Sequence, residues 1–116
     1  MIKFISIMKK RDDISLEAFS KYWHEEHGRF AYTVPNLRRY VQNHALRLPG
    51  GGEPPIDGIG EYWFDDLASW QTSSEFYFGE AGRAIREDEE AFTNRKKLFG
   101  LVAEERIIIP GHGFIK

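Results

Sequence analysis

Four stretches of the chain carry the apolar pattern of strands and three read as helical, the last two as one interrupted region. Residues Ile2 to Met8 are strand formers with little interruption, and the polar run Lys9-Lys10-Arg11-Asp12-Asp13 that follows turns the chain. Ser15 is an N-cap, with Glu17 in the first turn and Leu16, Phe19, Trp23, His27 and Phe30 at helical spacing. A helix from Leu16 to about His27 is expected, closed by Gly28 and barred from continuing by Pro35. Within Leu37 to Leu48, Arg39 to Leu46 reads as the second strand, with Tyr40, Gln42 and His44 on one face. The stretch from Pro49 to Pro55 is too rich in Gly and Pro for either element. Asp57 to Asp65 is the third strand, with Gly58, Gly60, Tyr62 and Phe64 on one face and Asp57, Ile59, Glu61 and Trp63 on the other. Asp65 or Asp66 caps a helix containing Leu67 and Trp70; a second helical stretch runs from Gly79 to Glu90, with a break between Gly79 and Gly82. Val102 to Ile109, stopped by Pro110-Gly111, is the fourth strand.

The order β-α-β-β-α-β is the split βαβ arrangement, an α+β fold in which a four-stranded antiparallel, ferredoxin-like sheet carries its helices on one face. The other face is then uncovered. Apolar side chains on both faces of strand three, and the continuous Ile107-Ile108-Ile109, argue that it is not left in water. A second copy of the chain is the simplest cover, and the Gly111 to Ile115 segment is placed to extend onto it.

Composition narrows the partners. The 116 residues suit one core, and 41% hydrophobic with 29% charged residues is a globular balance. A formal charge of −2 without a basic run argues against nucleic acid and anionic membranes. There is no cysteine, hence no disulfide framework, thiolate nucleophile or cysteine-based metal site, and the cytoplasm is the expected compartment. The N-terminal apolar stretch is too short for a signal peptide or a span. Aromatics reach 15%, a surplus that fits either an interface or an aromatic-lined cavity.

Two histidines carry the candidate chemistry. At ~100° per residue, His27 shares the apolar helix stripe with Trp23, whereas His24 lies off it in solvent. A polar ring where helix meets sheet needs a hydrogen-bond partner or a wet cavity, so His27 is either a satisfied core or cap residue or a site residue. His44 shares its strand face with Tyr40 and Gln42 and is either in the same cavity or structural. Two imidazoles in one cavity can divide general-base and general-acid roles on an enolisable substrate. His24-Glu25-Glu26-His27 lacks the four-residue spacing of a zinc helix, so no metal is expected; no Gly-rich nucleotide loop or nucleophilic serine elbow occurs, and no cofactor is expected. Asp57, beside the loop, is expected to be exposed; Glu61 is a mid-strand carboxylate in need of a partner, and Glu87 to Glu90 reads as a solvated helix face.

Phe19-x-x-Tyr22-Trp23-x-x-x-His27-Gly28, Leu37-x-x-Tyr40-Val41-Gln42-Asn43-His44 and Asp88-x-x-x-Phe92 ahead of Val102-Ala103-Glu104-Glu105 together resemble the EthD family of dimeric α+β barrels. The resemblance covers nearly the whole chain and implies one such domain over residues 1–116, a homodimer whose sheets face each other, and a ligand pocket in each subunit. It implies cofactor-independent acid/base chemistry on an aromatic or lactone-like small molecule, as an isomerase, cyclase, lyase or monooxygenase-like oxidoreductase. His27 and His44 are the catalytic residues so implied, with Trp23 as pocket wall; Tyr40, Glu61 and Trp63 complete the expected substrate contacts. Two other readings stand beside it: a non-catalytic small-molecule binding dimer, and a haem-binding or haem-degrading protein with His27 or His44 as axial ligand.

Overall fold

The computed structural model describes residues 1–111. Its strands are β1 (Ile2–Met8), β2 (Arg39–His44), β3 (Gly58–Phe64) and β4 (Phe99–Glu104), and its helices α1 (Leu16–Glu25), α2 (Leu67–Phe78) and α3 (Arg83–Glu89). The sheet is antiparallel in the order β2-β3-β1-β4. This is the expected ferredoxin-like arrangement, with the second helix in two pieces.

Local chemistry sets the element ends. Ser15 Oγ accepts the Ala18 N–H at 3.0 Å to start α1, and Asp66 Oδ1 accepts the Ser69 N–H at 2.8 Å to start α2. Helix α1 stops at Glu25, earlier than its apolar spacing indicates, and His27–Thr33 winds on as a 3-10 helix. Between α2 and α3 the chain passes Gly79 and a short 3-10 turn, Glu80–Gly82. A Cβ on Gly82 would lie 2.3 Å from the Tyr77 carbonyl oxygen, so only glycine allows this close passage.

Strand β4 corrects the expected Val102 to Ile109 segment. Its register runs from Ile7↔Phe99 to Ile2↔Glu104, and the last backbone bond is Glu105 N–H to the Met1 carbonyl at 3.0 Å. The β-branched Ile107, Ile108 and Ile109 follow the last β1–β4 pair, outside the sheet and exposed. Strand β2 starts at Arg39 as expected and stops two residues short of Leu46, because its pairing with β3 ends at His44↔Gly58. Asp57, expected in solvent, is only 1% exposed. It accepts the Lys10 N–H at 2.8 Å and lies 3.6 Å from the Lys9 ammonium, tying the start of β3 to the end of β1. Most of the 111–115 segment, expected to reach a partner, lies outside the described residues.

Even-numbered residues of β1, β2 and β3 face the helices. The core packs Met8, Leu16, Phe19, Trp23 and Phe92, and Trp23 lies over Gly58, where a Cβ would come within 2.7 Å of the indole. Odd-numbered residues form the uncovered face, which combines apolar Ile5, Ile7, Val41, Ile59 and Leu101 with a polar cluster around Lys3. Lys3 donates to Glu61 at 2.8 Å and to Glu105 at 3.4 Å, and Trp63 Nε1–H donates to Glu105 at 3.0 Å. The indole of Trp63 is sandwiched by the Lys3 and Arg39 cations, 4.7 and 4.6 Å from the ring.

Candidate active site

A cavity of about 440 Å³ lies between the helix-side face of the sheet, the 27–33 segment, α2 and α3. Its walls are largely apolar, with Phe4, Phe64, Trp70 and Phe76 among them, and its polar groups include His27, Tyr40, Tyr62, Tyr77, Glu89 and Arg95. An apolar hollow with a small set of convergent polar groups is the usual form of a small-molecule site.

His27 enters it from the first residue of the 3-10 segment, 7% exposed and packed on Phe92 and Phe30. Its Nδ1 lies 2.8 Å from Asp88 Oδ2, and the Tyr22 hydroxyl donates to Asp88 Oδ1 at 2.6 Å. A carboxylate can only accept, so Nδ1 carries the hydrogen and Nε2 the lone pair in the neutral ring. No buried side-chain nitrogen or oxygen among the described residues lacks a partner, and Nε2 has none there; Nε2 is therefore solvent-accessible, and the ring that bears it lines the cavity. Burial lowers the His27 pKa below its ordinary 6.5, and the Asp88 carboxylate opposes that shift without cancelling it. Asp88 itself holds the Tyr22 phenol up at about 12, with burial adding to the effect.

Across the same cavity, the Tyr77 hydroxyl donates to Glu89 Oε1 at 2.5 Å, and the Arg95 guanidinium stands 4.0 Å from that oxygen. Burial raises the Glu89 pKa above the usual 4.5 despite these partners, and burial also raises Tyr77 and Tyr62.

His44 is not in the cavity. Its ring lies against Trp23, with centroids 4.5 Å apart, and bonds to the Ser20 hydroxyl on one side and to Gln42 on the other. Gln42 Nε2 must point at the Trp23 carbonyl, 3.0 Å away, and it also donates to the Tyr40 hydroxyl at 2.8 Å. That leaves Gln42 Oε1 to accept from His44 Nε2–H at 2.8 Å, so His44 Nδ1 takes the Ser20 proton. The four side chains form one directional chain, and Tyr40, which does line the cavity, has its own proton turned away from Gln42. Burial and the neighbouring His24 lower the His44 pKa, which favours this neutral form.

Of the residues expected at the site, His27 and Tyr40 line the cavity, Trp23 is core beneath it, and Glu61 and Trp63 lie on the opposite face of the sheet. Asp88 and Glu89, taken together as part of a solvated acidic run, turn inward from consecutive positions. The one available signal was Asp88-x-x-x-Phe92, a carboxylate one helical turn before an apolar residue. Among the described residues no three His, Asp or Glu side chains converge as a metal site.

A ferredoxin-like α+β sheet with an aromatic cavity under its helices defines the class. The EthD domain profile matches residues 11–96, most of the chain, and the chain belongs to the EthD family. An ethyl tert-butyl ether D family protein from Bacillus halodurans superposes with a TM-score of 0.69 at 24% identity, over 91% of this chain and 99% of that one. A dimeric protein of unknown function with a ferredoxin-like fold from Bacteroides fragilis gives 0.62 at 14% identity, over 90% and 95%. SnoaB, a cofactor-independent oxygenase from Streptomyces nogalater, gives 0.62 at 10% identity, over 95% and 97%. At these identities the structures establish the fold alone. None of the curated proteins matches the chain.

Proposed function

We propose that the protein is an acid–base enzyme acting on a planar aromatic carbonyl compound, with His27 as the base that removes a proton from carbon. The observation that carries this reading is the pairing of His27 Nδ1 with Asp88 while the ring lines an aromatic cavity. Asp88 fixes the tautomer that leaves Nε2 basic and stabilises the imidazolium formed on proton capture, and Tyr22 fixes Asp88. Tyr40 is a donor available to the substrate oxygen, and His44 supports it from outside the cavity through Gln42 as a positioning residue. Such a mechanism uses side chains only. Chemistry without a cofactor is in keeping with the fold, since SnoaB, which shares it, is a cofactor-independent oxygenase.

We further infer a homodimer through the uncovered sheet face, supported by the exposure of Leu101 at 47% and by relatives described as dimeric. No described helix is long and apolar enough to cross a membrane.

The test is hydrogen–deuterium exchange at C1 of 2-tetralone, a bicyclic ketone, followed by NMR in D₂O. The protein should accelerate exchange, and His27→Ala should return it to the solvent rate, a loss of ~10²–10⁴-fold. Full exchange in His27→Ala sinks the mechanism. Binding of 2-tetralone without exchange makes the protein a binder rather than an enzyme.

A further inference from the structure

Glu89 is the carboxyl group of the cavity that the His27 mechanism leaves unused. Its side chain is 15% exposed, it lines the same hollow as His27, and its neighbours differ from those of Asp88 one residue earlier. Asp88 receives two hydrogen bonds, one at each oxygen, from Tyr22 and from His27. Glu89 receives one from Tyr77 at Oε1. The charged and titratable groups around it are Arg95 from the segment after α3, Arg86 and Asp88 from α3, Tyr77 from α2, and Tyr62 and Tyr40 from the sheet. Neither arginine is a close ion pair. The Arg95 guanidinium is 4.0 Å away and donates to the Arg86 carbonyl at 3.0 Å, and Arg86 spends its Nη1 on the Tyr77 and Gly79 carbonyls.

We infer that Glu89, paired with Tyr77, is a second proton-transferring group of the cavity, giving a proton to the carbonyl oxygen of a neutral aromatic ketone. This rests on the proton-transfer reading of His27. In the step, His27 Nε2 takes the proton from the carbon next to the carbonyl, and the C–H electron pair becomes the C=C bond of the enol. The carbonyl π pair moves to oxygen, which takes the Glu89 proton. The products are an enol, an imidazolium and a carboxylate. Return of the imidazolium proton to carbon, with the enol proton going back to Glu89, resets both groups and completes the exchange or isomerisation without any other reactant. The Tyr77 hydroxyl, already directed at Oε1, stabilises the carboxylate at the moment it forms.

Glu89→Gln keeps an acceptor for Tyr77 but has no proton to transfer. On 2-tetralone it should slow C1 exchange by ~10²-fold, the low end of general-acid assistance, while leaving 2-tetralone affinity unchanged. It should also abolish the loss of rate at high pH, since the acid works only below its own pKa. Tyr77→Phe removes a bond that favours the ionised carboxylate and should move that limb upward in pH. Wild-type exchange in Glu89→Gln beside a dead His27→Ala overturns Glu89 and leaves the His27 reading intact. Binding of 2-tetralone without exchange overturns Glu89 together with His27; where exchange occurs, infrared difference spectra test Glu89 separately. A protonated-carboxyl band near neutral pH that responds to 2-naphthol and is missing from Glu89→Gln supports the assignment, and its absence overturns it.

Discussion

Burial and charge pull the His27 imidazole in opposite directions, and burial prevails. Its pKa in the folded protein is below the 6.5 of a free imidazole, so at neutral pH the ring is the neutral base that the proposed reaction requires. The sign for stability follows: a histidine with a depressed folded pKa contributes fully above the unfolded value and loses that contribution as pH falls through the folded one. Asp88 is the group that limits the depression. Asp88→Asn removes its charge, so the acidic limb of the rate profile should move to lower pH. The same change lets an amide N–H face Nδ1 and drive the hydrogen onto Nε2, the wrong tautomer, at a cost of ~10²–10⁴ in rate with the fold retained. A pH–rate profile of 2-tetralone exchange checks both; a limb moving upward contradicts the role given to Asp88. His27 was legible in the sequence because Trp23 and His27 repeat at a helical interval. The partner carboxylates were not, because four consecutive acids offer no pattern. Which of them turns inward is decided by the passage at Gly82 that launches α3 and by Tyr22 and Tyr77 on other elements.

Elements were readable to the extent that their ends are set by their own residues. The caps at Ser15 and Asp66 are local chemistry and fall where the sequence puts them. The ends of β2 and β4 fall where pairing with the neighbouring strand stops, which no pattern within those segments encodes. Glycines of β3 illustrate the same dependence. An alanine in a strand normally stabilises it relative to glycine, through chain entropy. At Gly58 the new methyl would sit 2.7 Å from the Trp23 ring and 3.3 Å from the Met8 methyl, both in the core. Gly58→Ala should therefore destabilise by about 1–3 kcal/mol through overpacking. Calorimetry should show a lower Tm, at roughly 4–8 °C per kcal/mol for a small domain. A raised Tm would mean that Trp23 does not lie over this strand. Because Trp23 also contacts His44, its near-ultraviolet circular dichroism should change in the variant as well.

The uncovered sheet face poses a problem that the proposed pairing of two copies solves. Helices cover one face of the sheet, and the other carries Ile5, Ile7, Val41, Ile59 and Leu101 with a charge cluster at one end. A face of this kind is costly in water, and burying it against a copy of itself gains about 25 cal/mol for each Å² of apolar area removed. The Lys3, Glu61 and Trp63 cluster fits such an interface because its charges are already paired within one subunit; covering them leaves no unmatched ion. Leu101 is the position that separates assembly from folding. At 47% exposure on an edge strand, it contributes little to the core of its own subunit, so Leu101→Glu should leave the fold intact. In the dimer the same change buries two carboxylates near apolar neighbours with no cation provided for them. Sedimentation equilibrium should show the wild-type chain as a dimer and Leu101→Glu as a folded monomer with unchanged far-ultraviolet circular dichroism. A variant that remains dimeric would move the interface off this face. His27, Tyr40 and Glu89 all lie on the helix side of the sheet, away from the substituted face. Monomeric Leu101→Glu should therefore keep 2-tetralone exchange within a few fold, since the residues of the proposed site all come from one chain.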